Sequence, residues 1–300
     1  MKVLISGGTG FMGTHLIKSL TADNHQVWVL SRSLEKSVEN AQIVVWNGKT
    51  TDGWGHIIDE MDAVVNLAGL SLYHWPWTKR KKQRFLDSRV EPGRALASAI
   101  KSADHRPDVL VQISGINYYG LRGEKVANES TPPGDDFLSR LTIAWEAATK
   151  SVEEVGVRHI VCRSAVVLAR DAILLWLMAL PVRLFFGGSF GSGEQALPWI
   201  HIDDQVGAIR FLMENSKARG SYNLIAPQLT SNVEFMRTLA KVLGRPYWLQ
   251  YPKFLMRLAL GEMSVLITEG RFSKSERLFE LGYNMRFSNL EEALRDIFEK

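Results

Sequence analysis

The chain has 300 residues, 46% of them hydrophobic, and a net charge of +4. This length suits two domains or one large α/β domain with an appended lobe, and the hydrophobic share supplies a large core. The charge is mild and the basic residues are scattered outside 79–84, so nucleic acid is not an expected partner.

Membrane and secreted classes are also disfavoured. No run reaches the ~18 apolar residues that cross a bilayer, and the nearest is broken by Pro181 and Arg183. The chain shows no signal-peptide pattern, and its one cysteine, Cys162, lies in an apolar run typical of a core position. The seven histidines lack metal-ligand spacing. We therefore expect a cytoplasmic protein with no membrane partner and no metal.

The first stretch, KVLISGGTGFMG, predicts a nucleotide-binding turn. A short apolar strand runs into four glycines, and a helix follows directly. Glycines there allow a tight bend and bring backbone N–H groups to a pyrophosphate at the helix N-terminus. A glycine-rich turn without a ligand is the alternative. The predicted cofactor contacts in this turn are Gly7, Gly10, Phe11, Met12 and Gly13.

The second predicted strand, QVWVL, ends at Ser31 and Arg32, with no acid between residues 30 and 32. At this position an acid binds the ribose 2′-hydroxyl of NAD, whereas an arginine accommodates the 2′-phosphate of NADP. Arg32 and Ser31 therefore predict NADP(H), with a solvated loop charge as the other interpretation of Arg32. Glu35 follows about a turn further along.

The next apolar runs complete a parallel sheet. Strands are predicted over 43–46, 63–69, 109–115 and 157–169, separated by helices, which favours a doubly wound α/β fold. Ligands of such sheets lie outside the carboxyl ends of the strands. The fourth strand ends in small residues that let a cofactor approach, and the fifth ends at Ser114. The predicted contacts at these two strand ends are Leu67, Ala68, Gly69 and Ser114.

The later chain changes character. The glycine-rich stretch 184–198 is predicted to form a loop over the pocket, and a strand is expected near Tyr222. Asp203 or Asp204 is the expected N-cap of the next helix, and Ser231 or Asn232 that of the following one. We expect a Rossmann-type domain over 1–230, with 170–200 contributing to the pocket, and a mostly helical substrate lobe over 231–300.

The motifs SGGTGFMG, NLAG, NYYG, RSAVVLA and PWIHIDD occur along nearly the whole chain. Together they resemble the extended short-chain dehydrogenases/reductases, the nucleotide-sugar epimerase-like group. The closest likeness is to an atypical, epimerase-like branch with a C-terminal extension. The resemblance implies a Rossmann domain, bound NADP(H), a small-molecule substrate and a possible homodimer formed through two Rossmann-domain helices. It also implies that Ser114 touches substrate.

One departure concerns catalysis. The family pairs a tyrosine with a lysine four residues later, and none of the seven tyrosines here has one. Aligning Glu146 with the glutamate that ends the family motif places Leu138 and Thr142 at the two positions, and neither can replace the pair. Glu146 itself is expected at the surface or in a cap. Tyr118 or Tyr119 is a candidate substitute that would act with Ser114.

His201 is a second candidate for proton transfer, with a packing role as the alternative. Two functions remain open. The first is an NADP(H)-dependent oxidoreductase or epimerase that acts on a small polar or nucleotide-linked substrate. The second is a non-catalytic NADP(H)-binding sensor or interaction protein.

Overall fold

The computed structural model describes residues 1–34 and 38–299. The strands are β1 Lys2–Ser6, β2 Gln26–Ser31, β3 Gln42–Val45, β4 Ala63–Asn66, β5 Val109–Gly115, β6 Arg158–Ser164, β7 Val166–Leu168, β8 Gly187–Phe190, β9 Trp199–His201, β10 Gly220–Leu224 and β11 Tyr247–Tyr251. The helices are α1 Phe11–Ala22, α2 Lys79–Ser102, α3 Phe137–Ala147, α4 Ile173–Arg183, α5 Ile202–Glu214, α6 Asn232–Val242, α7 Lys253–Leu260, α8 Val265–Thr268, α9 Arg277–Glu280 and α10 Leu290–Phe298.

Within the described residues, seven parallel strands form one sheet in the order β10-β6-β5-β4-β1-β2-β3. The order reverses at β1 and β4, so the carboxyl ends of these two strands flank a topological switch point. The predicted doubly wound sheet, including the late strand through Tyr222, is confirmed.

Both faces of this sheet carry apolar side chains, as expected for a parallel sheet that is covered by helices on both sides. One face packs against α1, α5 and later helices through residues such as Val3, Ile5 and Val65. The other packs against α2 through Leu4, Val64 and their neighbours. Cys162 lies in the first core, as expected, and burial raises the pKa of its thiol.

Beyond β6 the chain builds a smaller, mostly helical region. The predicted strand 157–169 breaks after Ser164, and β7 leaves the main sheet to pair with β9. The glycine-rich stretch 184–198 is not a simple loop, since β8 within it pairs in parallel with β11. Along the described chain, no helix combines the length and hydrophobicity needed to cross a bilayer. The domain boundary at 230 and the contribution of 170–200 to the pocket stay predictions.

Two helix starts test the predicted caps. Ser231 caps α6 as expected, in a reciprocal capping box with Glu234. The cap of α5 is His201 rather than Asp203 or Asp204, because the His201 Nδ1 accepts the Asp203 backbone N–H at 3.2 Å. The two aspartates instead fill the first turn, where the helix dipole favours negative charge.

Candidate functional site

The glycine turn between β1 and α1 forms a close-packed backbone cradle. Gly7 has φ +73°, and a Cβ there would lie 2.7 Å from the Leu67 carbonyl carbon. A Cβ on Gly13 would lie 2.5 Å from the Gly7 oxygen. Gly10 caps α1 with an extended backbone, so the N–H groups of Phe11, Met12 and Gly13 have no carbonyl of a preceding helical turn to bond. The cradle therefore presents free donors and the positive end of a helix dipole, which fits a pyrophosphate.

A buried amide network fixes the second wall of this cradle. Asn66, at the end of β4, accepts from the Ser6 hydroxyl at 2.5 Å and from the Ala68 backbone N–H at 3.2 Å. Its own amide donates to Gln112 at 2.8 Å. Asn66 thereby ties the ends of three neighbouring strands together and orients the Leu67–Ala68 turn against Gly7. This geometry assigns Asn66 a structural role between the strands.

Ser31 and Arg32 lie at the end of β2, next to the cradle in the strand order. The buried Ser31 hydroxyl donates to the Ser33 carbonyl at 2.8 Å, which shapes the turn. Arg32 is exposed, and its stem lies near Gly48. The guanidinium is therefore available to a ligand at this edge. Glu35 lies outside the described residues.

Arg89 on α2 is a charged neighbour of this edge that the sequence analysis missed. Its side chain is 6% exposed, and its Nη1 donates to the carbonyls of Leu70 and Phe85 at 3.0 and 3.1 Å. Among the described residues no carboxylate pairs with it, and burial lowers its pKa to about 10. A Cβ on Gly69 would lie 3.3 Å from the guanidinium carbon. The cation thus lies directly beside the predicted cofactor contact at Gly69.

Ser114 lies at the end of β5, but its hydroxyl is engaged within the protein. It donates to Glu146 Oε1 at 2.7 Å. Glu146 also receives two bonds from Arg163 of β6, each 2.9 Å long. Only 13% of the Glu146 side chain and 5% of the Arg163 side chain are exposed. The expectation that Glu146 is a surface or cap residue is therefore wrong, because a cation from β6 pairs with it beneath α3.

The two tyrosines surround the same arginine. Tyr119 is buried, receives a bond from Arg163 Nη1 at 2.9 Å and donates to Asn223 at 2.7 Å. Burial raises the pKa of Tyr119, and the Arg163 guanidinium opposes part of this effect. The Tyr118 ring lies face-on to the guanidinium, 3.4 Å from its central carbon. Within residues 1–34 and 38–299, the Tyr118 hydroxyl has no hydrogen-bond partner, whereas the Tyr119 hydroxyl has two.

A cavity of about 870 Å³ lies between the loop that follows Tyr119 and the C-terminal region. Leu138, which we expected at the position of the family's tyrosine, lines this cavity. Thr142, which we expected at the lysine position, is buried, and its hydroxyl donates to the Leu138 carbonyl at 2.7 Å. The other lining residues include Trp77, Arg122, Glu269 and Arg271. Neither helix position supplies a proton donor to the cavity.

His201 has a packing environment. It is 2% exposed, and its ring lies 4.0 Å from the ring of Phe287. Burial lowers its pKa, while the carboxylates of Asp203 and Asp296 oppose the change. Its Nδ1 caps α5, so a structural role accounts for its position.

Comparisons with known proteins assign the chain to a family. The sequence pattern described as "NAD dependent epimerase/dehydratase family" matches residues 3–224, and a "Domain of unknown function (DUF1731)" matches residues 251–297. The chain belongs to the NAD dependent epimerase/dehydratase family. The strand ends and the glycine cradle described above all fall in the epimerase match.

Curated members of this epimerase family resemble the chain from end to end. The epimerase family protein YfhF of Bacillus subtilis is 35% identical over 99% of this chain and 98% of its own length. The epimerase family protein SDR39U1 of Bos taurus is 36% identical over 99% of both chains.

Solved structures show the same epimerase-like architecture. A crystal structure of the human epimerase family protein SDR39U1 with NADPH superposes with a TM-score of 0.90 at 34% identity, covering 100% of this chain and 99% of that one. A UDP-glucose 4-epimerase from Thermotoga maritima, solved with UDP-glucose, gives a TM-score of 0.81 at 19% identity over 100% and 98%. The latter supports the fold alone.

Proposed function

We propose that this epimerase-family protein binds NADP(H) and acts, in the cytoplasm, as an oxidoreductase on a small polar or nucleotide-linked substrate without the usual Tyr/Lys pair. The observation that carries the proposal is the backbone cradle, whose walls leave no room for a Cβ at Gly7 or Gly13. The human SDR39U1 structure determined with NADPH supports the choice of cofactor.

The chain's own residues would hold the cofactor at three places. The free N–H groups at the start of α1 bind the pyrophosphate, since an anion at a helix N-terminus is stabilised by the dipole. Arg32 binds the 2′-phosphate through charge-assisted hydrogen bonds, and Ser31 shapes the turn that presents it. Leu67, Ala68 and Gly69 let the cofactor lie against the end of β4. A nicotinamide bound at these residues would supply hydride-transfer chemistry.

Proton transfer would fall to groups around Ser114. The Tyr118 hydroxyl is the first candidate, because the Tyr119 and Ser114 hydroxyls already have internal partners. Tyr119 is a poor base at neutral pH, since burial raises its pKa. Because no lysine follows either tyrosine at the spacing of the family, we expect slow turnover that rises toward alkaline pH.

A second candidate function is a non-catalytic NADP(H)-binding sensor or interaction protein. In its favour, no tyrosine of the chain is followed four residues later by a lysine, and the hydroxyl of Thr142 bonds within its own helix. Such a protein would bind cofactor with the same cradle and leave it unreacted.

The test is to incubate the protein with NADPH and a panel of carbonyl compounds and nucleotide sugars, and to follow absorbance at the nicotinamide band. If a substrate reacts, kcat is compared for Ser114→Ala, Tyr118→Phe and Tyr119→Phe. A loss in Tyr118→Phe supports the tyrosine as proton donor, and unchanged kcat in all three removes this mechanism. NADPH binding without consumption across the panel favours the sensor function.

A further inference from the structure

An apolar surface lies on α4 and the chain that follows it. Large hydrophobic side chains recur on α4 at helical spacing and continue past its end, and a tryptophan of β11 joins them. Trp176, on the helix, is 50% exposed and Trp248, on β11, is 65% exposed. We call this surface the α4 face, and it consists of Ile173, Trp176, Leu177, Leu180, Leu184, Phe185, Phe186 and Trp248.

The α4 face is held together by specific contacts. The Trp248 indole donates to the Phe185 carbonyl at 2.9 Å, and the Tyr251 hydroxyl donates to the Phe186 carbonyl at 2.5 Å. Phe185 has φ +67°, a left-handed conformation that costs a bulky residue free energy. Strained backbone therefore holds an exposed aromatic ring on this surface. Contiguous apolar surface of this kind marks an interaction site in folded proteins.

Charges at the two ends of α4 indicate what covers it. Asp171 precedes the helix and Arg183 ends it, and both are exposed. These two residues lie at equal distances along the chain from Leu177. In an antiparallel pair of α4 helices related by a two-fold axis near Leu177, Asp171 of each copy meets Arg183 of the other. In the described chain Arg183 has no carboxylate partner, although it stacks on Phe298 at 5.4 Å.

The Rossmann helix α2 offers a second copy a less favourable surface. Its exposed side chains are mainly cationic, and an isologous contact would bring two like-charged faces together. The exposed positions of α2 are Lys79, Arg80, Gln83, Arg84, Arg94, Ser98, Lys101 and Ser102. The dimer through Rossmann-domain helices that the family resemblance implies is therefore disfavoured on this helix.

We propose that the chain self-associates as a two-fold homodimer through the α4 face, with the α4 helices antiparallel. Apolar burial supplies the affinity, and the paired charges fix the direction of the helices. The α4 face has an acidic residue at one end and a basic residue at the other, so it is self-complementary, as an isologous interface requires. This proposal is independent of cofactor binding and of turnover.

The experiment is sedimentation velocity of the full-length protein across a concentration series. The wild type is expected to form a dimer. Trp176→Glu should raise the dimer Kd at least about 30-fold, because a tryptophan at the centre of an interface is a typical hot spot. Trp75→Glu, which replaces an equally exposed tryptophan on another surface, is the matched control and should leave the Kd unchanged. Circular dichroism of both variants verifies the fold.

A charge swap tests the antiparallel arrangement. Arg183→Asp should weaken the dimer, because it sets two carboxylates against each other, and Asp171→Arg combined with Arg183→Asp should restore it. The expected changes in dimer Kd are smaller than for Trp176→Glu, because the positive charge of Arg170, next to Asp171, offsets part of the repulsion between the two carboxylates. Within one copy Asp171 also contacts His15 at 3.1 Å, so His15→Ala is the control and should leave the Kd unchanged.

Three outcomes would overturn the proposal. The first is a wild type that is monomeric at every concentration. The second is a dimer that Trp176→Glu leaves intact and that an α2 variant such as Arg84→Glu dissociates. The third is a monomer that cosediments with phosphatidylglycerol vesicles through Trp176, which would make the α4 face a membrane contact.

Discussion

The cofactor edge, formed by the glycine turn 7–13, and the region around Ser114 differ in how many of their polar groups already have hydrogen-bond partners. At the cofactor edge, Gly7 and Gly13 pack backbone against backbone and leave helix N–H groups without partners. Around Ser114, the polar groups are paired with one another through Glu146 and Arg163. One region is preorganised for a ligand, and the other is largely saturated by internal bonds. Cofactor-binding geometry can therefore persist in this fold while the polar groups around Ser114 are paired with one another.

The internal ion pair gives the largest expected effect. Arg163→Met leaves the Glu146 carboxylate buried without its cation, and breaking such a pair costs about 3–5 kcal/mol. The double variant Glu146→Leu with Arg163→Met should recover much of the loss, because no unpaired charge remains. Urea denaturation of the single and double variants measures both values. A single variant within about 1 kcal/mol of the wild type, on the order of an exposed pair, would show that Arg163 is not buried against Glu146.

The glycine cradle gives the next largest effect. Gly7→Ala introduces a Cβ 2.7 Å from the Leu67 backbone and a strained φ. Overpacking and strain together should lower the free energy of unfolding by about 2–4 kcal/mol and weaken NADPH binding.

Gly53→Ala is its matched control, because Gly53 has φ +77° and no atom within 4 Å of its Cβ position. It isolates backbone strain from the clash. Equal losses in the two variants, measured by urea denaturation, would mean that the cradle tolerates a side chain.

Some of this architecture follows from local sequence, and some does not. Alternating helices and apolar runs predicted the parallel sheet, and Gly7 to Gly13 predicted the turn, because both depend on neighbouring residues. Arg163 and Glu146 are 17 residues apart and meet only when α3 packs against the sheet. Arg89 is brought to Gly69 by the path of α2. The His201 cap was missed because an imidazole is an uncommon cap, and aspartates follow it closely.

The 2′-phosphate contact gives a moderate effect. Removing one guanidinium from a phosphate should cost on the order of 1.5–3 kcal/mol, so Arg32→Ala should weaken NADPH binding about ten-fold or more. NADH binding should hardly change, since NADH has no 2′-phosphate. Calorimetric titration of the variant with each cofactor makes the comparison. Equal losses for both cofactors would remove Arg32 from the phosphate site.

The smallest effect concerns pH. Burial lowers the pKa of His201 from 6.5, so on acidification the unfolded chain takes up this proton before the folded one. The stability linked to His201 is present above pH 6.5 and is lost as the pH falls through the lowered folded pKa. His201→Asn keeps a capping acceptor and does not titrate. Thermal melts at pH 7 and pH 5 should show a smaller loss of stability on acidification in His201→Asn than in the wild type. If the two proteins show the same pH dependence, His201 is not a buried imidazole that stays neutral in the folded protein.

The central claim is that the cradle and Arg32 form a working NADP(H) site beside a region whose polar groups are paired with one another. Calorimetric titration of the wild-type protein with NADPH and with NADH tests it most directly. The account predicts one cofactor per chain, with NADPH bound about ten-fold or more tightly than NADH. No binding of either cofactor, or equal affinity for the two, would contradict it.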